Sequence, residues 1–215
     1  MAQKIIKGKK AIFITFEGLE GSGKSSVIKF VGKFIKDKVF SVKIYREPGS
    51  TCIGEKIRKL LLDRKNKKLS PYTELLLYLS ARTQLIEEKL KGDLKHYDFV
   101  ICDRFFDSTL AYQGFALGLG KIAERSVSMF SLGIRPDLTV FLDILPHEGL
   151  ARIKDKDRIE SRPLHFHNKL RKGYLQIAKK YPRRIKVVNA RGSLEDIYKR
   201  VEKVLNKKLK SAHSL

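Results

Sequence analysis

Cysteine is scarce in this 215-residue chain, which has only Cys52 and Cys102. The two lie far apart without metal-ligand spacing, so no cysteine metal site is expected, and they suit a reducing cytosol. Cys102 sits inside an apolar run and reads as a small core residue. Long hydrophobic runs are missing too, and none approaches the length of a membrane span. The basic start, residues 1–10, is followed by a short apolar run, Ala11 to Phe16, that leads straight into a glycine-rich loop. That pattern argues against a signal peptide, and a cytoplasmic location is the expectation. There is no internal repeat and no low-complexity linker. Acidic residues are few, 23 against 46 Lys plus Arg, giving a formal charge of +23. Such an excess fits either a nucleic-acid surface or solvated, lysine-rich helix faces around a site that handles several phosphates. Basic clusters fall at Lys7–Lys10, Arg64–Lys68, Lys179–Arg184 and Lys207–Lys210, with no interleaved aromatics of the kind that stack bases. The second reading is favoured, and no specific nucleic-acid partner is expected.

What is present is the periodicity of an α/β domain. Hydrophobic residues make up 42% of the chain, enough for one globular unit spanning 1–215. Apolar runs predict strands at 11–16, 41–45, 98–102, 137–142 and 184–188. Helical spacing falls at about 24–38, 54–62, 71–91, 106–117, 121–133, 162–180 and 193–207. This alternation predicts a three-layer sandwich: a five-stranded parallel sheet with helices on both faces and ligands at the strands' C-terminal ends. The stretch 146–162, with Arg152, Lys154, Lys156, Arg158 and Arg162, reads as a small, mobile, basic lid rather than core.

Gly18-Leu-Glu-Gly-Ser-Gly-Lys-Ser25 fits G-x-x-x-x-G-K-[ST], the Walker A or P-loop pattern, between a predicted strand and a predicted helix. Glycines let successive N–H groups of Gly18, Leu19, Glu20, Gly21, Ser22 and Gly23 curl around an anion at a helix start, with Ser26 just behind. Lys24 is placed to reach the β- and γ-phosphates, and the Ser25 hydroxyl to ligate Mg²⁺. Neither D-x-x-G nor N-K-x-D occurs, which argues against a GTPase switch. The run Phe99 to Asp103 ends in a carboxylate, as a Walker B strand does, and Asp103 is a candidate for holding the metal through water. Many strands end in Asp as a turn residue, so this signal gains its weight from the P-loop. Arg46, Arg58 and Arg104 all follow predicted strands, and together they suggest a second phosphate, that of an acceptor. Tyr78 and Arg82 lie four apart and share a helix face, fitting either a base-stacking pair or a core tyrosine beside an exposed arginine. Thr109, Tyr112 and Gln113 follow helical spacing and are equally open to a structural reading.

From about Ala11 to Val201 the chain resembles the thymidylate kinases. The resemblance rests on Phe16 to Ser25, Arg46-Glu-Pro-Gly49, Tyr78-Leu-Ser-Ala-Arg82, Asp103-Arg104 with Ala111-Tyr-Gln-Gly114, Asp157-Arg-Ile-Glu160 and Gly173-Tyr174. It implies transfer of the ATP γ-phosphoryl group to dTMP, giving dTDP and ADP, with Mg²⁺ as cofactor, in a homodimer. By the same resemblance Glu20 would contact the sugar 3′-hydroxyl, Tyr78 would stack on thymine, and Arg82 would bond a base carbonyl. Thr109 and Gln113 would complete base recognition, and Tyr112 would crowd the 2′ position. Arg46, Arg58 and Arg104 would surround the acceptor phosphate beside Pro48, with Glu47 and Asp103 near the metal. Arg191, in the loop after Asn189, would line adenine. The P-loop carries no arginine, so the catalytic cation is expected from the lid, with Arg152 and Arg158 as candidates. Phe105-Phe106 and Ser50 depart from common versions of the motifs.

Overall fold

The computed structural model describes residues 11–213, with side chains as far as Leu209. The basic cluster Lys7–Lys10 and the end of the basic tail lie outside the described residues. Five strands form one sheet: β1 (Ile12–Gly18), β2 (Val42–Arg46), β3 (Phe99–Asp103), β4 (Leu138–Asp143) and β5 (Ile185–Asn189), in the order β2-β3-β1-β4-β5. Every pairing is parallel. Alternate residues of the central strands enter two different cores. Ile14, Phe16, Phe99 and Ile101 join one cluster, while Phe13, Val100 and Cys102 join the other. A strand buried on both faces needs apolar side chains at every position, which is why these segments read as continuous runs.

Helices cover each face. On the first lie α1 (Lys24–Asp37), α8 (Leu164–Lys180) and α9 (Leu194–His213), through Val27, Val31, Leu170, Ile177 and Val201. On the second, α3 (Pro71–Leu85) runs through a π-helical segment, Ile86–Leu90, into α4 (Lys91–His96), presenting Leu85, Ile86, Leu90 and Leu94. Apolar spacing predicted an end at 91; the chain stays helical to His96, since the wider π turn restores the apolar face before Leu94. The helices α2 (Cys52–Leu62) and α6 (Gly120–Phe130) pack beside α3.

Two departures from the sequence expectation bear on the site. Every strand continues past its predicted end into a polar or glycine residue: Gly18, Arg46, Asp103, Asp143 and Asn189. Backbone pairing does not stop where hydrophobicity does, so Arg46 and Phe16 flank Asp103 in register at the sheet's C-terminal edge. The segment 146–162 is only partly a solvated strap. It opens with α7 (Pro146–Ala151), whose proline takes the first helical turn, and it buries Arg158 and Ile159.

Candidate active site

The P-loop joins β1 to α1. Gly23 caps α1 with φ +84°, no side chain caps the helix, and no acid occupies its first turn. By contrast, α2 and α3 receive capping bonds from Thr51 and Ser70. The start of α1 therefore keeps its amide dipoles for an anion. Gly21 has φ +70°, and a Cβ there would fall 2.0 Å from the Gly149 carbonyl, so only glycine lets α7 pack onto the loop. Lys24 Nζ donates to the carbonyls of Gly18 and Leu19, both at 3.0 Å. Burial and the neighbouring Arg104 guanidinium push this ammonium down to about 8, against the pull of Asp103, Glu20 and Glu17.

Behind the loop, Arg104 adopts φ +68°, a conformation rare for a side chain of its size. Its Nη1 donates to Ser108 Oγ at 3.3 Å and Tyr174 Oη at 3.1 Å, and Nη2 to Glu20 Oε1 at 3.1 Å. Glu20 also accepts from the Tyr112 hydroxyl, and His167 Nδ1 lies 3.5 Å from its other oxygen. Burial would raise the Glu20 carboxyl, but His167, Arg104, Lys24 and Tyr112 outweigh it and hold the group below the usual carboxylate range. Asp103 Oδ1 is buried and has no hydrogen-bond partner among the described residues.

Across the cleft, Arg82 is 1% exposed, which removes the reading of it as a surface arginine. It pairs with buried Glu47 and donates from Nη2 to Thr109 Oγ1 at 2.8 Å. Its Nε and Nη1 are buried without a partner among the described residues. A guanidinium that keeps unpaired donors in a cleft is matched to an acceptor from elsewhere. Burial raises the Glu47 carboxyl, with Arg82 opposing. Arg58 reaches the Pro48 carbonyl at 3.3 Å, and Arg46 grips Glu55 through one nitrogen at 2.9 and 3.0 Å. Tyr112 and Gln113 belong to a second π-helical segment, Leu110–Ala116, that continues α5 (Phe106–Thr109). The simple helical spacing read from the sequence is therefore widened there, a change often found where a helix serves a site.

Most of these groups line one cleft of about 370 Å³, with Glu55, His167 and Tyr174 behind its wall. It joins Glu20, Gly21, Ser22, Gly23, Lys24, Ser25 and Ser26 to Arg46, Glu47, Pro48 and Arg58. Tyr78, Arg82, Asp103, Arg104, Thr109, Tyr112 and Gln113 line it as well, with Asp157, Ile159 and Glu160 from the 146–162 segment. Gly18 and Leu19 shape the loop from beneath it, Leu19 as core. Arg152, exposed, donates to the Gly21 carbonyl at 3.1 Å. Arg158 does not line the cleft: it is buried against the Leu61 carbonyl and Glu74. Arg191 is exposed and paired with Glu148.

Sequence reasoning missed four residues here, three of them buried and Ser108 partly so. Glu17 falls just past the predicted strand end at Phe16, and β1 runs on through it. Glu74 takes Arg158 at 2.7 Å, Arg162 at 2.6 Å and the Gln113 amide at 3.0 Å. Neither it nor Ser108 or His167 stands out from its neighbours in the chain.

A family model described as thymidylate kinase matches residues 16–201. The chain belongs to the thymidylate kinase family. A thymidylate kinase of Thermoanaerobacter sp. (strain X514) is 40% identical over 207 residues, 95% of this chain and 100% of that protein. One from Bacillus pumilus (strain SAFR-032) is 42% identical over 205 residues, 93% and 97% of the two chains. The crystal structure of thymidylate kinase from Ehrlichia chaffeensis superposes with a TM-score of 0.75 at 31% identity, covering 92% of this chain and 99% of that one. Membership makes the chain a nucleoside monophosphate kinase, a phosphotransferase on the P-loop fold expected from the sequence. Among the described residues no helix is long and apolar enough to cross a membrane.

Proposed function

We propose that this chain transfers the γ-phosphoryl group of ATP to the 5′-phosphate of dTMP, giving dTDP and ADP. The observation that carries the reading is Arg82, buried with two donor nitrogens unpaired among the described residues, in the same cleft as the P-loop and the three arginines. Thymine, on this reading, stacks on Tyr78 and gives a carbonyl to Arg82, with Thr109 and Gln113 at its edge. Glu20 takes the 3′-hydroxyl, and Tyr112, locked onto Glu20, leaves no room for a 2′-hydroxyl. Arg46, Arg58 and Arg104 surround the acceptor phosphate, and Arg191 lies toward adenine. A phosphate monoester with a second pKa of about 6 is already anionic near neutrality, so no general base is needed. The chain's own contribution is alignment and positive charge from Lys24, Arg104 and a lid cation.

The donor set suits Mg²⁺. Asp103 Oδ1 is an orphaned buried oxygen at the strand edge, Ser25 lines the same cleft, and no group of three His, Cys, Asp or Glu gathers among the described residues. Few protein ligands, completed by phosphates and water, is the habit of that ion. Ser25 and Asp103 would hold it with Glu47 nearby, and when bound it would neutralise charge on the phosphate oxygens. Residues 146–162 serve as the lid of a single domain, excluding water on closure. Arg152 is the better lid cation, since it already contacts the P-loop whereas Arg158 is committed to Glu74. Arg152→Ala should lower kcat by ~10³-fold while leaving ATP and dTMP binding nearly intact; equal kcat would reject the role. A homodimer in the cytoplasm completes the reading; exposed Tyr72 and Leu76 on α3, and Ile122 and Met129 on α6, which packs beside it, offer apolar surface for the dimer contact.

The direct test is ADP release measured with dTMP, dUMP, dCMP, dGMP and thymidine in parallel. Turnover highest with dTMP is expected, and preference for thymidine itself would reject the acceptor-phosphate site. Protonation offers a second test. Lys24 sits at about 8 in the protein alone, and phosphate anions favour its charged form. ATP binding at pH 8.5 should take up protons, visible as a calorimetric heat that varies with buffer ionisation enthalpy. Lys24→Ala should abolish that uptake.

A further inference from the structure

Glu17 is left without a task by this reaction, yet it is a fully buried acid in β1 beside the P-loop. Three donors converge on it. The Phe105 N–H donates to Oε1 at 2.8 Å, and the hydroxyls of Ser108 and Tyr174 donate to Oε2 at 2.5 and 3.0 Å. Those two hydroxyl oxygens are the same atoms that accept from Arg104 Nη1. A hydroxyl has one proton. Once Ser108 and Tyr174 direct theirs toward the carboxylate, only lone pairs remain to face the guanidinium. If one hydroxyl instead donates across the 2.8 Å contact to the other, the second still donates to Glu17 and both oxygens keep a lone pair for Arg104.

We infer that Glu17 is a positioning residue for Arg104, fixing its guanidinium through Ser108 and Tyr174 and its backbone through the Phe105 N–H. Arg104 needs both restraints. Its backbone lies at φ +68°, where L side chains are rarely found, and the next peptide N–H is the one Glu17 holds. With Nη1 secured from behind, Nη2 is left to face Glu20 and the cleft. The inference rests on the proposed place of Arg104 at the acceptor phosphate.

Only a carboxylate suits this position. Phe105 requires an acceptor at one oxygen and the hydroxyls require an acceptor at the other. A glutamine that keeps its oxygen on the Phe105 N–H turns its NH₂ to the hydroxyls, which can accept only by swinging their own protons away from it and toward Arg104. Burial and the Asp107 charge raise the acid to about 7 against the pull of Arg104, Ser108 and the Phe105 N–H, so the carboxylate that the relay uses is the major form above neutral pH.

A double-mutant cycle with dTMP as acceptor tests the relay. Glu17→Gln should lower kcat/KM for dTMP by ~100-fold while the dissociation constant for ATP changes by less than about threefold. In an Arg104→Gln background the same substitution should add less than about threefold, because the group it positions is gone. Tyr174→Phe, which leaves the carboxylate in place, should cost ~10-fold and lose its effect in the same background, so the test stands even where Glu17→Gln does not fold. Multiplicative losses with Arg104→Gln, or equal weakening of ATP and dTMP, would overturn the relay alone. No turnover of dTMP by the unaltered chain would overturn both the relay and the proposed function.

Discussion

Lys24→Ala should remove phosphoryl transfer, by at least ~10³-fold, without loss of the fold. The side chain stands at the first residue of α1 and spends its hydrogen bonds on two loop carbonyls rather than on core packing. Its depressed pKa says that the surroundings disfavour the ammonium in the folded protein. The sign follows from proton counting. Between about 8 and the ordinary lysine value of 10.5 the unfolded chain binds more protons, so this group's cost to stability is full below pH 8 and fades as pH rises. Alanine removes that cost, and the melting temperature at pH 7 should be no lower than that of the unaltered protein. Turnover within tenfold of the original would contradict the assignment of Lys24 to the transferred phosphoryl group.

The largest effect on stability is expected at Glu74. Its carboxylate has no exposure and receives two arginines and one amide. Arg158 is itself buried, and Arg162 lies over the Phe166 ring at 4.4 Å with its Nη1 unpaired among the described residues. Glu74→Ala strands both cations in a low-dielectric pocket, which typically costs about 3–5 kcal/mol. Urea unfolding should therefore show a much lower midpoint at unchanged slope. Glu74→Gln keeps the shape but not the charge and should fall between. A loss under about 1 kcal/mol for the alanine variant would mean that the arginines find other partners, and that Glu74 does not anchor the 146–162 segment.

Legibility of the sequence followed distance along the chain. The P-loop is eight consecutive residues whose function depends on local backbone, so its letters suffice. The five strands were also readable, most clearly the three central ones, where burial on both sides leaves an unbroken apolar run. Strand ends were read short, since Arg46 and Asp103 remain in the ladder after hydrophobicity stops. The contacts that define the cleft's rear wall join residues far apart: Glu17 with Tyr174 across 157 positions, Glu74 with Arg158 across 84. No local period announces them. For the same reason Arg158 looked like a free lid cation, when Glu74 and the Leu61 carbonyl hold it inside. Tyr78 and Arg82 show the converse. Their spacing left two readings open, and the burial of Arg82 on Glu47 decided against a surface arginine.

The central claim is that one cleft places an acceptor nucleotide between Arg82 and the P-loop. A crystal structure with dTMP and ADP bound addresses it most directly. The account predicts thymine on the Tyr78 ring with a carbonyl at Arg82 Nε or Nη1, and the monophosphate beside Arg104 and Arg58. Thymidine monophosphate bound away from Arg82, or with its phosphate turned from Arg104, would contradict it.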